Sequence, residues 1–351
     1  MEKIVVGLSG GVDSSVTAYL LKNKGYDVVG VTMKTWFESG NGSDIYIEDA
    51  KKVADSIGIE HVVIDYSENF KKYVVDNFLS EYMCARTPNP CVRCNRFVKW
   101  QSLIDYADSI GADYIATGHY AHVVKLDNGR YTVLQAKSEK DQSYALYMLS
   151  QEQLSRTQMP LGDYDKTEIR RIAEEIGIVV ADKPDSQDIC FVPDGDYAAF
   201  LVRQIGKGCE TPGDFVDIEG NVIGRHKGLI HYTVGQRKGL ELAMGEPVYV
   251  VGLDSANNRV IIGHNDDVFG KELIIDNVNY MGIAEGTENF DAIAKIRYAH
   301  KGAFCHVSCI DGGKLKVVFD EPQRAITPGQ SVVFYEETDE GRIVLAGGMI
   351  I

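Results

Sequence analysis

The sequence predicts an α/β domain built on a doubly wound parallel sheet, with two smaller, largely β units behind it. Strand and helix patterns alternate through about the first 200 residues. Helical periodicity largely stops near residue 205, and beyond it short apolar runs are separated by Gly, Asp and Pro. Strands that are joined through helices run parallel, because each crossover brings the chain back to the same end of the sheet.

The first part contains short apolar runs, bounded by turn residues, that predict strands. In chain order they are KIVVGL, DVVGVTM, HVVIDY and DYIATGHY. Helical patterns lie in VDSSVTAYLLKNKG, in DAKKVADSIG, at about 67–83 and at 96–110. HVVKLDNGRYTVLQA then predicts a hairpin that turns at residues 127–129. A capping box from Asp165 to Glu168 predicts a helix that ends at Gly177.

The C-terminal part has a different residue pattern, which predicts strands and not helices. VYVVGLDSANNRVIIG predicts a hairpin, and AKIRYAH, CHVSCI, KLKVVF and SVVFY predict short strands. We therefore expect an α/β domain at 1–205 and β-rich domains at 206–272 and 273–351.

The chain is acidic overall but contains acid-free basic clusters. Its formal net charge of −15 argues against loose electrostatic binding of nucleic acid. Basic residues nevertheless cluster without acids at 86–101, 221–240 and 295–302. The clusters are either solvated faces or parts of one nucleic-acid-binding groove, and the sequence leaves both interpretations open.

Hydropathy and cysteine usage bear on the compartment. No apolar run approaches the roughly 20 residues of a membrane span, and the N-terminal MEKIVVGLSGG lacks the pattern of a secretory signal. The seven cysteines are odd in number and widely spread. This usage is typical of reduced thiols rather than of a disulfide framework, so we expect a cytoplasmic protein.

A glycine-rich loop follows the first predicted strand. VVGLSGGVDSS places glycines at the strand end and Asp13, Ser14 and Ser15 at the start of a helix. Glycines let the backbone curl so that several N–H groups face one anion, and the helix terminus adds a favourable dipole. The sequence lacks GxxxxGK[ST], so this is not a Walker loop. The segment could instead be an ordinary βα turn, but SGGVDSS is a far more specific signal for an anion-binding loop than an isolated GxGxxG.

Residues 88–96 read PNPCVRCNR and contain a CxxC motif, Cys91 and Cys94. Such a pair can hold a metal, cycle as a disulfide, carry sulfur or merely pack. A structural zinc site needs four ligands, and this motif supplies two. The role of the pair therefore depends on what the rest of the chain supplies.

Further motifs occur in order along nearly the whole chain. They are MKTWF, RTPNPCVRCNRFVKW, ATGHYA, KDQSYALY, DSQDICFV, HYTVGQRKGL, KIRY and TPGQS. With SGGVDSS, which is similar to the pyrophosphate loop of the N-type ATP pyrophosphatases (PP-loop enzymes), they resemble the bacterial tRNA-specific 2-thiouridylases. The resemblance implies a PP-loop domain, a small central domain that contacts tRNA, and a C-terminal β-barrel. It also implies ATP-dependent formation of 2-thiouridine at the anticodon wobble position, with release of pyrophosphate and AMP.

The resemblance assigns roles to individual residues. Cys94 matches the attacking cysteine, and Cys190 matches the cysteine that carries sulfur as a persulfide, loaded by a sulfur-donor protein. ATP binding is implied for Gly7, Leu8, Ser9, Gly10, Gly11, Val12, Asp13, Ser14, Met33 and Gly118. Contact with the target base or the tRNA is implied for Asn89, Pro90, Cys91, His119, Lys140, Asp141, Gln142, Arg297, Tyr298 and Gln330.

Cys91 departs from the commonest form of the family, which has Asp after Pro-Asn-Pro. The change removes a group that could act as a base, and it adds a third cysteine. Cys91, Cys94 and Cys190 are thus candidate ligands of a [4Fe–4S] cluster whose free iron would hold sulfide. Cys94 and Cys190 suffice for persulfide transfer, which is the preferred interpretation, but the residue spacing permits both mechanisms.

The reaction that the resemblance implies explains why the chain has both an ATP-binding loop and reactive cysteines. Uridine O2 is a poor leaving group, so ATP converts it to an adenylate, and a cysteine persulfide then delivers sulfur. We expect Arg93 and Arg96, which flank Cys94, to favour its thiolate. Mg²⁺ is expected with ATP, although no acidic motif identifies its ligands.

Two other functions compete with thiolation. A small-molecule adenylating ligase would share the loop but would not need Cys94 or Cys190. A non-catalytic RNA-binding iron–sulfur sensor would show no ATP turnover, and the intact SGGVDSS loop argues against it.

Overall fold

The computed structural model describes residues 1–38, 44–178, 189–192 and 194–351. Its first sheet is parallel, with the strand order β3-β2-β1-β4-β7. The strands of this part of the chain are β1 Lys3–Gly7, β2 Asp27–Lys34, β3 Glu60–Asp65, β4 Tyr114–Ala116, β5 Ala121–Lys125, β6 Tyr131–Gln135 and β7 Thr157–Gln158. Val5 of the central strand pairs with Val29 on one side and Ile115 on the other, and all three are buried. The predicted parallel sheet is confirmed.

The described helices of this part of the chain alternate with these strands or follow them. They are α1 Val12–Asn23, α2 Asp44–Ile57, α3 Ser67–Phe70, α4 Asp76–Met83, α5 Pro90–Cys94, α6 Gln101–Ser109, α7 Gln151–Ser155, α8 Lys166–Glu175 and α9 Tyr197–Ile205. Short π-helical segments, Lys71–Val75 and Asn95–Trp100, join α3 to α4 and α5 to α6. The helix predicted at 96–110 therefore begins earlier, at Pro90, because proline suits the first helical position, where no backbone donor is needed. This correction places the whole CxxC motif on a helix.

The local signals around α8 are confirmed. Asp165 accepts a hydrogen bond from the backbone N–H of Glu168 at 2.8 Å, and the Glu168 carboxylate accepts one from the Asp165 N–H at 2.8 Å. Gly177 follows the helix with a φ of 71°, the left-handed conformation that glycine adopts without strain. The first four residues of the DSQDICFV motif, 185–188, lie outside the described residues.

A four-stranded sheet follows, with the order β10-β11-β8-β9. Its strands are β8 Gly213–Val216, β9 Val222–His226, β10 Tyr249–Asp254 and β11 Arg259–Gly263. The predicted second hairpin is confirmed as β10 and β11, which pair in antiparallel fashion. Phe215, Val250 and Val260 form part of a separate small core for this sheet.

The remaining strands form a closed barrel. They are β12 Phe269–Tyr280, β13 Asn289–Lys295, β14 Ala303–Ile310, β15 Lys314–Arg324, β16 Ser331–Thr338 and β17 Gly341–Ile350. Neighbouring strands pair in the order β12-β15-β14-β13-β16-β17, and β12 also pairs with β17. This closure confirms the barrel, and it leaves no free edge among these six strands.

The predicted hairpin, β5 and β6, pairs with the barrel rather than with the parallel sheet. Leu134 of β6 pairs with Ile343 of β17. The Arg130 guanidinium donates to the carbonyls of Met281 at 2.9 Å and Tyr280 at 2.6 Å. The hairpin thus attaches the barrel to the α/β part, which sequence patterns did not predict.

Within the described part of the chain, no helix is both long enough and apolar enough to cross a lipid bilayer.

Candidate active site

A cavity of about 500 Å³ opens at the carboxyl ends of β1, β2 and β4. The chain runs from β1 to β2 on one side of the sheet and reaches β4 on the other. Ligands bind at such switch points in open α/β sheets. The lining includes these predicted site residues: Gly7, Leu8, Ser9, Asp13, Ser14, Met33, Cys94, Gly118, His119, Gln142 and Cys190. The cavity therefore joins the glycine-rich loop to both predicted catalytic cysteines.

The glycine-rich loop is closed by its own serine side chains. The Ser9 N–H donates to the Ser14 hydroxyl at 3.2 Å, and that hydroxyl can donate to the Gly11 carbonyl at 3.1 Å. Gly10 has a φ of 72°, and a Cβ there would lie 2.7 Å from the Tyr46 carbonyl oxygen. The loop therefore needs glycine at this turn, both for the backbone conformation and for the close approach.

Gly118 is required because two backbone segments meet at the cavity. A Cβ on Gly118 would lie 2.8 Å from the carbonyl carbon of Asp13 and 2.8 Å from the amide nitrogen of Ser14. The segment after β4 thus packs directly on the first turn of α1. This contact explains why a glycine far away in sequence belongs to the loop site.

Asp13 is held by two side chains from outside the loop. The Lys166 ammonium donates to both carboxylate oxygens of Asp13 at 2.9 Å, and the Tyr120 hydroxyl donates to one of them at 2.7 Å. Lys166 is the first residue of α8. The sequence predicted only a capping box in this segment, because no local pattern shows that its lysine reaches a loop 153 positions away.

Cys94 and Cys190 both line the cavity but differ in exposure. Cys94 is 8% exposed, and burial raises its pKa to about 12, whereas Lys99 acts in the opposite direction. Cys190 is exposed, although desolvation of its thiol raises its pKa. All seven cysteines are among the described residues, and all are free. The two predicted catalytic thiols therefore share one site in the reduced state.

The expectation that Arg93 and Arg96 favour the Cys94 thiolate is wrong. Arg93 Nε donates to the Tyr73 carbonyl at 3.0 Å, and Arg96 donates to the Met148 carbonyl. Both guanidinium groups lie over the Phe97 ring, at 5.0 and 5.7 Å from its centre. Neighbours along a helix point in different directions, so these arginines brace the helix instead.

Lys99 is the cation that faces the thiols. It lines the cavity and lowers the pKa of Cys94 and of Cys190 against the effect of burial. In the sequence, Lys99 belongs to a basic cluster and has no predicted role at the cysteines. Its position relative to Cys94 depends on the start of the helix at Pro90 and on the π-helical segment Asn95–Trp100, and the sequence predicted neither.

Lys99→Met is expected to slow sulfur transfer roughly tenfold, the order expected when one nearby opposite charge is removed. Since the pKa of Cys94 lies near 12, the thiolate fraction and the rate should rise with pH from 7 to 9 in both proteins. The variant should stay below wild type by a constant factor, because its pKa is shifted further upward. Single-turnover thiolation by persulfide-loaded protein measures this.

Lys72→Met is the matched control, because Lys72 is exposed and lies 5.0 Å from the centre of the Tyr73 ring, outside the cavity lining. It should keep the wild-type rate. A Lys99→Met profile that overlays the wild-type profile would contradict the assigned role of Lys99.

His119 and Gln142, two of the predicted contacts with the base or tRNA, line the cavity. His119 is half-buried beside Trp100, with ring centres 5.1 Å apart, and its Nδ1 lies 2.9 Å from the Thr117 hydroxyl. Burial lowers the pKa of His119 well below its ordinary value, so the ring is neutral at pH 7. Gln142 accepts a hydrogen bond from the Tyr120 N–H at 2.9 Å. Both side chains are fixed in the cavity wall.

Other predicted RNA contacts lie away from the cavity lining and mostly have protein partners. Asp141 is buried and accepts hydrogen bonds from the Ala136 N–H at 3.0 Å and the Ser143 hydroxyl at 2.7 Å. The Tyr298 hydroxyl donates to the Asp141 carbonyl at 3.1 Å, and Arg297 donates to the Arg324 carbonyl at 2.9 Å. The remaining predicted residues outside the lining are Gly10, Gly11, Val12, Asn89, Pro90, Cys91, Lys140 and Gln330.

The barrel helps to position the loop before the CxxC helix. The Thr87 N–H donates to the Pro328 carbonyl at 2.9 Å, and Gln330 donates to the Thr87 carbonyl at 2.8 Å. The Thr87 hydroxyl also lies 3.3 Å from that of Thr233, in the central part of the chain. Asn89 faces a second, smaller cavity of about 180 Å³. Contacts from the barrel and from the central part of the chain thus hold the loop that precedes α5.

The three candidate cluster ligands are not arranged to share a metal. Among the residues that the structure describes, no group of three or more His, Cys, Asp or Glu side chains is placed to hold a metal ion. Cys91, Cys94 and Cys190 are all within that described part. Cys91 is exposed and does not line the cavity, whereas Cys94 is buried in its wall. The arrangement of these three thiols does not fit a cluster.

Comparisons with known proteins identify the family. Family models match along the chain: a tRNA methyl transferase HUP domain at residues 2–194, a tRNA methyl transferase PRC-barrel domain at 198–264 and an aminomethyltransferase beta-barrel domain at 270–350. The tRNA-specific 2-thiouridylase MnmA of Lachnoclostridium phytofermentans is 51% identical, with 100% of each chain covered. The chain belongs to the tRNA-specific 2-thiouridylase family. This membership confirms the resemblance seen in the motifs of the sequence.

A second 2-thiouridylase, from Clostridium acetobutylicum, is 48% identical over 99% of each chain. Among solved structures, the U34-tRNA thiolase NcsA from Methanococcus maripaludis with its [4Fe-4S] cluster is 21% identical, covering 59% of this chain and 67% of that chain with a TM-score of 0.36.

Proposed function

We propose that this chain is an ATP-dependent tRNA-uridine 2-sulfurtransferase that makes 2-thiouridine at the anticodon wobble position. The observation that supports this most directly is one cavity that joins the glycine-rich loop to Cys94 and Cys190. An adenylating ligase for amines would use the loop but would have no role for two thiols in the same cavity. Relatives that carry the 2-thiouridylase name over the full chain support the same substrate.

The first half-reaction is adenylation of the uridine. The loop of Gly7–Ser14 holds the ATP phosphates through backbone N–H groups, Ser9 and Ser14. Uridine O2 attacks the α-phosphate, the bond to the β-phosphate breaks, and pyrophosphate leaves. Met33 and Gly118 line the nucleotide part of the cavity. The Asp13–Lys166 pair fixes the first turn of α1 while charge moves onto the leaving pyrophosphate.

The second half-reaction delivers sulfur. Cys190 carries an outer sulfur as a persulfide, supplied by a sulfur-donor protein. In one route the outer sulfur attacks C2 and expels AMP, and Cys94 then attacks Cys190 Sγ to release the thiolated base. In the other route Cys94 first cleaves the persulfide by attacking Cys190 Sγ, and the released sulfide attacks C2 and expels AMP. Either route ends with a Cys94–Cys190 disulfide, which two electrons from a cellular thiol must reduce.

The proposed reaction also requires Mg²⁺ and bound tRNA. Mg²⁺ would enter with the ATP phosphates and neutralise their charge. The tRNA would lie against the basic clusters, the central domain at 206–272 and the barrel at 273–351, behind a catalytic domain at 1–205. Tyr298, which is 50% exposed, offers a ring on which a base can stack. Asn89, Pro90, Cys91, Lys140, Arg297 and Gln330 remain proposed tRNA contacts. We propose a cytoplasmic location, where thiols are kept reduced.

Iron content distinguishes the two sulfur-delivery mechanisms. Anaerobically purified wild type and Cys91→Ala are assayed for iron, for acid-labile sulfide and for thiolation of unmodified tRNA. We expect iron-free wild type to thiolate fully when Cys190 is loaded with a persulfide, because two thiols suffice. About four irons per active chain, lost together with activity in Cys91→Ala, would instead show that a cluster delivers the sulfur.

A further inference from the structure

The CxxC motif spans the wall of the active-site cavity. Cys94 and Cys190 are among the described residues that line the cavity, whereas Cys91 is exposed and is not. Cys91 and Cys94 lie one turn apart at the start of the helix that begins with Pro90. Cys91 nevertheless lies close enough to raise the pKa of both other thiols. One thiol of the motif thus faces the chemistry and the other faces the surface.

This arrangement affects how the disulfide that forms in each turnover can be reduced. The proposed reaction leaves a disulfide between Cys94, which is 8% exposed and lies in the wall of a cavity of about 500 Å³, and Cys190, which lines the same cavity but is exposed. A protein dithiol must bring its own sulfur into line with the disulfide, and thiol–disulfide exchange depends strongly on such access. Burial of Cys94 keeps a reductant of protein size away from its sulfur, and attack on the exposed Cys190 would leave the reductant bound to the thiol that has to be reloaded. A small thiol has no such restriction.

We propose that Cys91 is the resolving thiol that moves the disulfide of each turnover from the cavity to the surface. This inference rests on the proposed sulfur-transfer function. The Cys91 thiolate attacks Sγ of Cys94, a Cys91–Cys94 bond forms, and the Cys94–Cys190 bond breaks. Cys190 leaves as a thiolate and takes up a proton, equivalent to the one that Cys91 gave to solvent. The exchange involves no net oxidation, and it frees Cys190 for reloading.

A protein dithiol then completes the cycle. It attacks the exposed Cys91 sulfur, and its two thiols become a disulfide while Cys91 and Cys94 return to thiols. An exposed first cysteine and a buried second one on a helical turn is the pattern of CxxC motifs that exchange with other proteins.

The helix geometry permits the Cys91–Cys94 bond with a modest change. Side chains three apart on a helix have Cβ atoms about 5–6 Å apart, whereas a disulfide needs about 3.5–4.5 Å. Cys91 lies in the first turn, where backbone N–H groups have no partner within the helix. Tightening of the first turn therefore breaks no helical hydrogen bond donated by Cys91, whose carbonyl still accepts one from the Asn95 N–H.

Disulfide mapping after one round of thiolation tests the proposal. Persulfide-loaded enzyme is mixed with ATP and unmodified tRNA, quenched in acid and alkylated, and its disulfides are identified by peptide mass spectrometry. We expect Cys91–Cys94 in wild type and Cys94–Cys190 in Cys91→Ser. Detection of only Cys94–Cys190 in wild type would overturn the proposal, whatever the variant does. A first round that yields no thiolated tRNA would instead overturn the proposed function.

Reduction rates supply the second measurement. With reduced thioredoxin as the probe, the oxidised Cys91→Ser enzyme should recover its free thiols at least about tenfold more slowly than wild type. With dithiothreitol, the recovery rates of wild type and Cys91→Ser should differ by less than about threefold, because a small thiol reaches the cavity. Cys84→Ser, which removes an exposed cysteine at the end of α4, should match wild type with both reductants. Equal thioredoxin rates for wild type and Cys91→Ser would refute the role of Cys91.

Discussion

Cys94→Ser and Cys190→Ser are each expected to lower tRNA thiolation by at least about a thousandfold, the scale of losing a covalent nucleophile. Both thiols line the same cavity as the glycine-rich loop, and each has its own part in sulfur transfer. A serine hydroxyl neither carries a persulfide nor forms a disulfide. Affinity for tRNA should change less than about threefold, since one buried or cavity-facing sulfur adds little to a large polar interface.

Two measurements separate the cysteines. Thiolated nucleoside is quantified by mass spectrometry, and tRNA affinity by filter binding. When sulfur donor is supplied, Cys94→Ser should accumulate a persulfide on Cys190, whereas Cys190→Ser should show none. Cys309→Ser, at an exposed position in the barrel, should behave as wild type. Full thiolation by either active-site variant would exclude both cysteine mechanisms.

Asp13→Ala is expected to reduce pyrophosphate release by at least about a hundredfold, the scale of a lost electrostatic group at a reacting centre. The substitution removes the carboxylate that accepts hydrogen bonds from Lys166 and Tyr120. The Lys166 ammonium then loses its counter-ion beside the loop, and the first turn of α1 loses the contact that fixes it. The assay follows pyrophosphate release from ATP in the presence of unmodified tRNA.

Lys166→Met tests whether Asp13 and Lys166 act as one unit. Lys166→Met should reduce pyrophosphate release by a factor similar to that of Asp13→Ala. The double variant should release pyrophosphate little more slowly than either single variant, because both substitutions remove the same interaction. Asp113→Ala is the control, since Asp113 precedes β4 and accepts a hydrogen bond from the Lys3 N–H at 3.2 Å, away from the cavity lining. Unchanged pyrophosphate release in Asp13→Ala would refute the assignment of the loop.

Much of the fold was predictable because its signals are local. β1 is a buried apolar run, and the capping box of Asp165 and Glu168 spans three residues, so neither depends on distant parts of the chain. The start of α5 at Pro90 was missed because the helical pattern was recognised only from residue 96 onward. The attachment of β6 to β17 was missed because edge strands carry no sequence mark that names their partner.

In the candidate site, too, local features could be predicted and contacts between distant segments could not. SGGVDSS predicted an anion-binding loop because its glycines, serines and helix start are contiguous. Cys94 and Cys190 were predicted through family motifs, and the structure brings both to one cavity. Lys166 was missed because its contact with Asp13 joins segments 153 positions apart.

The sequence by itself determined the classes of element, the glycine-rich loop and the residues with the chemistry for adenylation and sulfur transfer. These are properties of side-chain type and short spacing, which the chain carries before it folds. Only the tertiary structure decided that Lys99, and not Arg93 or Arg96, faces Cys94, and that Cys91 lies outside the cavity that Cys94 lines. Charge effects and thiol reactivity depend on burial and on distance through space, and both are set when distant segments pack together.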